Sequence, residues 1–253
     1  MPAQTGYRSG DSRRGQRPNY SWRVSVLAGG ESRFGDDDGS AEPLTAAALA
    51  AFGTGVGSEH AVLTSLARSR LLVPVVAVAS DGPGESEMSL ATLVGRDGRR
   101  AVPAFTCLDA LSRWRPGARP VPTAAGDVWR AAAADSCAVV VDIAGPVPLA
   151  VDGARLAALA SGEPVPLPHQ DPDVLAAVRA AAGAQAAITG LSLAPGPTGT
   201  DLEVKVSLAP GCAPAEAGEM LSQLGAAVMT RLGERLRRGV ALAVTAGQPS
   251  VAP

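Results

Sequence analysis

Residues 101–114 read AVPAFTCLDALSRW, and the spacing of apolar residues changes midway along them. Residues 101–105 form an apolar run of strand length. Beyond Thr106, Leu108, Leu111 and Trp114 recur at the spacing of one helix face. Upstream, the stretches 89–94 and 99–105 flank GRDG at 95–98. Its Asp97-Gly98 pair tolerates the positive φ of a tight turn, so a β-hairpin is expected to lead into the helix. Thr106 is the natural N-cap of that helix. The thiol of Cys107 then sits at the helix entry, where the dipole favours its charged form.

The same periodicities extend in both directions. Glu42-Pro43-Leu44 opens an alanine-rich helix that ends at Gly53, and GTGVG at 53–57 follows it. A dinucleotide loop needs a strand before its glycines, whereas a helix precedes these, so they read as a C-cap and a turn. Ser58 caps a helix with Val62, Leu63 and Leu66 on its apolar face. The run LLVPVVAV at 71–78 is a strand that Pro74, lacking an N–H, should confine to an edge or bulge. SDGPGESE at 80–87 is a loop whose acidic residues lack calcium-loop spacing. Downstream come a short strand at 118–121, a helix capped by Thr123, a buried strand at 137–143, and a helix capped by Asp152 and closed by Gly162.

Prolines at 164, 166, 168 and 172 then favour extended chain over regular structure. Beyond them, Asp171-Pro172 starts a helix, PGPTGT joins two strands at 187–194 and 201–208, and a long helix at 214–238 leads to a strand at 240–244. The expected fold class is α+β. A disordered extension (1–33) precedes an N-terminal mixed α/β domain (34–162) with a small sheet flanked by helices. A proline-rich linker (163–170), a smaller helix–β-hairpin–helix–strand module (171–247) and a frayed tail (248–253) follow.

With 253 residues and 46 % hydrophobic content the chain can bury a core without staples, but only 3 % of residues are aromatic. The core must therefore be built from Ala, Val and Leu. The net charge of −2 argues against a nucleic-acid domain, which usually carries a basic excess. Cys107, Cys137 and Cys212 are odd in number and include no C-x-x-C, as a reducing cytosol permits. Neither a membrane span nor a signal-peptide apolar region is apparent, so a cytoplasmic location is expected.

Chemistry is sparse. Cys107 and Cys212 both stand at helix starts, but nucleophilic catalysis also requires a base and an orienting group. The two histidines are His60, on a helix, and His169, among the prolines, and neither is placed near a thiol by sequence. Small residues beginning helices explain both cysteines. No zinc spacing exists, and no metal or cofactor is expected. Arg8, Arg13, Arg14 and Arg17, together with Arg231, Arg235, Arg237 and Arg238, could contact an RNA backbone. The second group equally suits the negative end of a helix dipole.

Several segments occur in a recognisable order: FGDDDG (34–39) with Pro43-Leu44, LARSRLLVPV (66–75), GRRAVPAFT (98–106) with Trp114, RPVP (119–122), DIAGP (142–146) and LAALASG (156–162). Together they resemble the SseB family, named for an enhanced serine sensitivity phenotype, in its actinobacterial form. The likeness covers residues 34–166, and residues 171–247 resemble the C-terminal part that often accompanies that domain. The resemblance implies no catalytic residue or cofactor, and it places serine or another small polar residue in the slot that Cys107 occupies here. The expected function is non-catalytic binding of a macromolecule, a protein partner, with Trp114 and Arg115 as a possible contact surface. Two alternatives are a thiol-dependent enzyme such as a sulfurtransferase, using Cys107 or Cys212, and a ribosome- or RNA-associated factor.

Overall fold

The computed structural model describes residues 34–79, 86–183 and 185–245, with the backbone alone for 76–79 and 86–90. The extension at 1–33, most of the loop at 80–87 and the tail at 248–253 lie outside the described residues. The protein has an α+β fold. By contacts the chain forms two compact units, one holding residues up to Ala47 with Ser65–Pro164, the other Ala48–Thr64 with Val165 onward.

Two helices, α1 (Pro43–Gly53) and α2 (Glu59–Leu66), open the described chain. The glycines between them form a turn, as expected: Gly55 has φ +75°, and the Gly57 N–H donates to Ala51 O (2.8 Å). Ser58 caps α2 through its hydroxyl, which accepts from the Ala61 N–H (3.2 Å).

In the first unit, β1 (Arg70–Ala79) runs between β2 (Ser86–Leu90) and β5 (Arg119–Ala124), antiparallel to both. A second sheet has the order β3 (Leu93–Val94), β4 (Arg100–Ala104), β6 (Ala138–Val141) and β7 (Leu149–Val151), with β4 and β6 parallel. Helix α3 (Leu108–Trp114), β5 and helix α4 (Ala125–Ala134) connect that parallel pair, and α5 (Gly153–Ser161) follows β7. Trp129, Phe105, Leu71 and Leu72 are fully buried among small aliphatic residues.

The hairpin expected around Asp97-Gly98 forms between β3 and β4, with Gly98 at φ +80° and its N–H donating to Gly95 O (3.0 Å). The expectation for Pro74 fails. Its strand is central, and Pro74 faces Pro120 with no register shift. Leu72 exchanges both backbone bonds with Phe105 (2.8 and 2.9 Å), so strand alternation turns Pro74's nitrogen to that same side. There its carbonyl accepts from the Ala91 N–H (3.3 Å), just past the end of β2, and the proline forgoes only the reciprocal bond at the last position of that ladder. Pro120 and Pro122 likewise turn their nitrogens to the outer edge of β5.

The second unit contains a 3₁₀ turn (Pro168–Gln170), α6 (Pro172–Ala182), β8 (Ile188–Pro195), β9 (Leu202–Leu208), α7 (Pro214–Leu232) and β10 (Val240–Thr245). Its sheet has the order β10-β9-β8, with β8 antiparallel and β10 parallel to β9. Leu202, Val204 and Val206 pack one face of β9 against Val174 and Val178 of α6 and Leu224, Val228 and Leu232 of α7. Asp171 caps α6 as the sequence implied, accepting from the Asp173 N–H (2.8 Å) ahead of Pro172. Helix α7 is shorter than expected, because the chain passes into turns at Gly233, and Arg235, Arg237 and Arg238 lie beyond the helix.

Candidate functional site: the polar cluster where two parallel strands end

In parallel sheets, ligand crevices form at the carboxyl ends of the strands. Here β4 and β6 end side by side, with Ala104 paired to Val141. The next residues, Thr106 and Asp142, meet there. The Thr106 N–H donates to Asp142 Oδ1 (2.9 Å) and its hydroxyl donates to Oδ2 (2.6 Å), both bonds buried. Asp142 adopts φ +50°, its N–H donates to Ala104 O (2.9 Å), and its carbonyl accepts from the Gly145 N–H (2.7 Å). Burial pushes this carboxyl above its ordinary value, while the two Thr106 hydrogen bonds pull the other way.

Arg70, at the first position of β1, continues the cluster. One Nη donates to Thr106 O (2.9 Å), and the other to Asp37 Oδ1 and Ser40 O (both 2.6 Å). Its backbone N–H donates to Glu42 Oε1 (3.2 Å). Arg70 and Asp37 are both largely buried, so this ion pair is shielded from solvent screening. The loop holding Asp37 also supplies Gly39, with φ +76°, whose carbonyl accepts from the Leu108 N–H (2.8 Å) at the start of α3.

Cys107, not Thr106, is the N-cap of α3, because the Thr106 hydroxyl is engaged by Asp142. The Cys107 Sγ accepts from the Ala110 N–H (3.5 Å), and the residue packs against the cluster of Leu72, Phe105, Leu111 and Ala118. The thiol therefore does the work of a capping serine in an apolar setting. Serine is the stronger cap by up to about 1 kcal/mol, so Cys107→Ser is expected to leave stability unchanged or raise it slightly. A lowered thermal midpoint would contradict that role.

Cys212 precedes α7, where Ala213 is the N-cap, and its thiol donates weakly to Ala213 O (3.8 Å). Among the described residues neither thiol is hydrogen-bonded to a histidine. His60 lies on α2 and His169 in the 3₁₀ turn. Cys137 is buried beside β6, and burial raises its thiol above the ordinary value. Trp114 is half-buried against Phe105, with ring centroids 5.4 Å apart, and contacts two apolar clusters of the unit, whereas Arg115 is exposed. Thr123 belongs to β5 and does not cap α4, whose N-cap is Ala124. Asp152 stands at the N-cap of α5, but its carboxylate pairs with Arg99 (3.0 Å) and Arg155 (2.7 Å).

The arginines near the end of α7 have partners within the second unit. Arg235 donates to Glu59 Oε2 (3.1 Å) and Asp171 Oδ2 (2.5 Å), Arg238 to Asp201 Oδ1 (2.8 Å), and the Arg237 guanidinium lies 4.4 Å from the Phe52 ring centroid. Burial works against the charge of Arg235, but the Glu59 and Asp171 carboxylates outweigh it and hold its pKa above the ordinary value. Among the described residues, no His/Cys/Asp/Glu group of three or more could hold a metal ion, and no helix is long and apolar enough to cross a membrane.

Arg70, Asp37, Thr106 and Asp142 do not stand out in the sequence as site residues, yet each lies in one of the ordered motifs. The available signal was a charged or hydroxyl side chain flanking an apolar strand, as Asp142 follows AVVV. Residues 46–158 match the family of the SseB protein N-terminal domain.

Residues 46–158 of this chain are thus similar to an SseB N-terminal domain.

Comparison with curated proteins and with solved structures gave no match. The SseB match runs from within α1 through most of α5 and includes Arg70, Thr106, Cys107 and Asp142. Asp37 and Gly39 lie just ahead of it.

Proposed function

We propose that this protein works by binding another protein and carries out no chemistry at its polar cluster. The carrying observation is that Thr106, Asp142 and Arg70 are engaged with one another and with nearby main chain, while Asp37 Oδ2 keeps no hydrogen-bond partner. Both Asp142 oxygens accept from Thr106, Arg70 divides its donors among Asp37, Ser40 and Thr106, and the Cys107 sulfur caps α3. A catalytic carboxylate or thiol needs a face open to substrate, whereas these groups brace β1, β4, β6 and the 34–42 loop against one another.

The internal pairing of Arg235 and Arg238 disfavours the RNA-associated alternative. Three free thiols suit a reducing, cytoplasmic compartment. The exposed Arg115 beside Trp114 remains the surface we assign to the partner.

The test is crosslinking and affinity capture with three forms of the full chain: wild type, Cys107→Ser/Cys212→Ser, and Arg115→Glu. A partner recovered reproducibly by the first two and lost with the third supports the reading. Failure to recover any partner overturns it, and so does a catalytic turnover that disappears with the serine substitutions.

A further inference from the structure

The two edges of the second unit's sheet differ. β8 carries a register irregularity between Ile188 and Gly190, and it contains Gly190 and Pro195, which weaken further strand pairing. β10 reads VALAVT, with no charge, proline, glycine or bulge. Among the described residues only β9 pairs with it. Natural edge strands usually carry a charge, a proline or a bulge against such pairing. Val244 faces the helices together with Val240 and Leu242, yet it is 50 % exposed, while Val204 and Val206 on the neighbouring strand are fully buried.

We infer that the free edge of β10 pairs antiparallel with the same edge of a second copy, forming one continuous six-stranded sheet. The strand is compatible with itself. Opposed residues share a face when their positions sum to an even number, and centring the two-fold axis on Leu242 or on Ala243 meets that condition. Centred on Leu242, Val244 opposes Val240 of the second copy; centred on Ala243, it opposes Leu242. Either register covers the exposed valine with an apolar side chain, and neither sets like charges against each other, because the strand has none. Occupancy by a charged peptide would leave that charge without a partner on β10. Since β8 is guarded, pairing through β10 closes at two copies and does not propagate into a fibre.

The experiment measures the mass of the full chain by size exclusion with light scattering across a dilution series. Wild type is expected to be a dimer that dissociates on dilution. Ala241→Glu/Ala243→Glu and Ala241→Lys/Ala243→Lys should each be monomeric, and mixing them should restore a dimer containing one of each. Val244→Lys, at a position already half in solvent, should be a folded monomer by circular dichroism. Ser192→Glu on β8 should remain dimeric. A wild type that stays monomeric at every concentration overturns the inference. So does a folded Val244→Lys chain that stays dimeric, or a mixture of the Glu and Lys chains that does not associate.

Discussion

Replacing Arg235 with methionine should destabilise the second unit by about 3–5 kcal/mol, the usual cost of removing one member of a buried ion-pair network. Glu59 and Asp171 are both buried, at 7 % and 1 % exposure, and each has Arg235 as an ion-pair partner. Without the guanidinium, two buried carboxylates lose the counter-charge they share. The Asp171 cap on α6 is weakened as well, because its other oxygen accepts the Asp173 N–H. Circular dichroism during urea unfolding, with hydrogen exchange of the α6 and β9 amides, should show the loss there. Adding Glu59→Gln and Asp171→Asn to Arg235→Met should recover much of it, because the penalty belongs to buried charge and not to missing volume. A loss below 1 kcal/mol for Arg235→Met would mean that water reaches the network.

The second large effect belongs to Asp142. Changing it to alanine leaves the Thr106 N–H and hydroxyl buried without acceptors, at roughly 1–3 kcal/mol for each such group. It also puts a residue with no side-chain acceptor at φ +50°, which costs about 1–2 kcal/mol more. A total loss of about 3–8 kcal/mol is expected from these contributions. The Asp142→Asn change should behave differently. The carboxamide oxygen can accept from the Thr106 N–H, the carboxamide nitrogen can donate to the Thr106 hydroxyl oxygen, and asparagine tolerates the left-handed region. Asp142→Asn should therefore match or exceed wild type near neutral pH.

The pH dependence follows from the same burial. The folded carboxyl is raised above its ordinary value of 3.8, so the folded state holds the proton more tightly than the unfolded chain does. The stabilisation from Asp142 is present in full below that ordinary value and is lost as pH rises through the folded value. Wild type minus Asp142→Asn, measured by unfolding between pH 3 and 7 (a range set by carboxyl titration), should isolate this slope. A difference independent of pH would show that Asp142 titrates as if it were in water.

Much of the architecture could be read from periodicity and turn chemistry alone. The Asp97-Gly98 hairpin, the Asp171-Pro172 helix start, the Ser58 cap and the strand that follows the long helix all depend on local patterns, which survive folding because nothing tertiary opposes them. Two of the misreadings share a cause: another side chain took over the group that was to cap a helix. Thr106 has the chemistry of an N-cap, but Asp142, 36 residues away, claims its hydroxyl and leaves the cap to Cys107. Asp152 occupies a capping position but is held by Arg99 and Arg155. Pro74 signals an edge, yet it is tolerated in mid-sheet where the β2 ladder ends and only one backbone bond is forgone. The β7 strand escapes a reading by periodicity because three residues beside Pro148 carry too short a pattern. Arg70 and Asp37 show nothing in sequence beyond a charge beside an apolar run, and only the crossing of β1 over Thr106 gives them a joint role.

The second unit is discontinuous along the chain, drawing on Ala48–Thr64 as well as Val165 onward. On a translating ribosome, Phe52 and Glu59 emerge long before Arg237 and Arg235, their eventual companions. About 180 residues of sequence separate these partners (for Glu59 and Arg235, 176), so the early helices must wait for Arg235 and Arg237 until that whole span has been made. Loop closure over such a span is costly in entropy and slow. A nascent chain stalled before Arg235 would therefore display an aromatic ring and an acidic side chain to whatever chaperones patrol the exit tunnel.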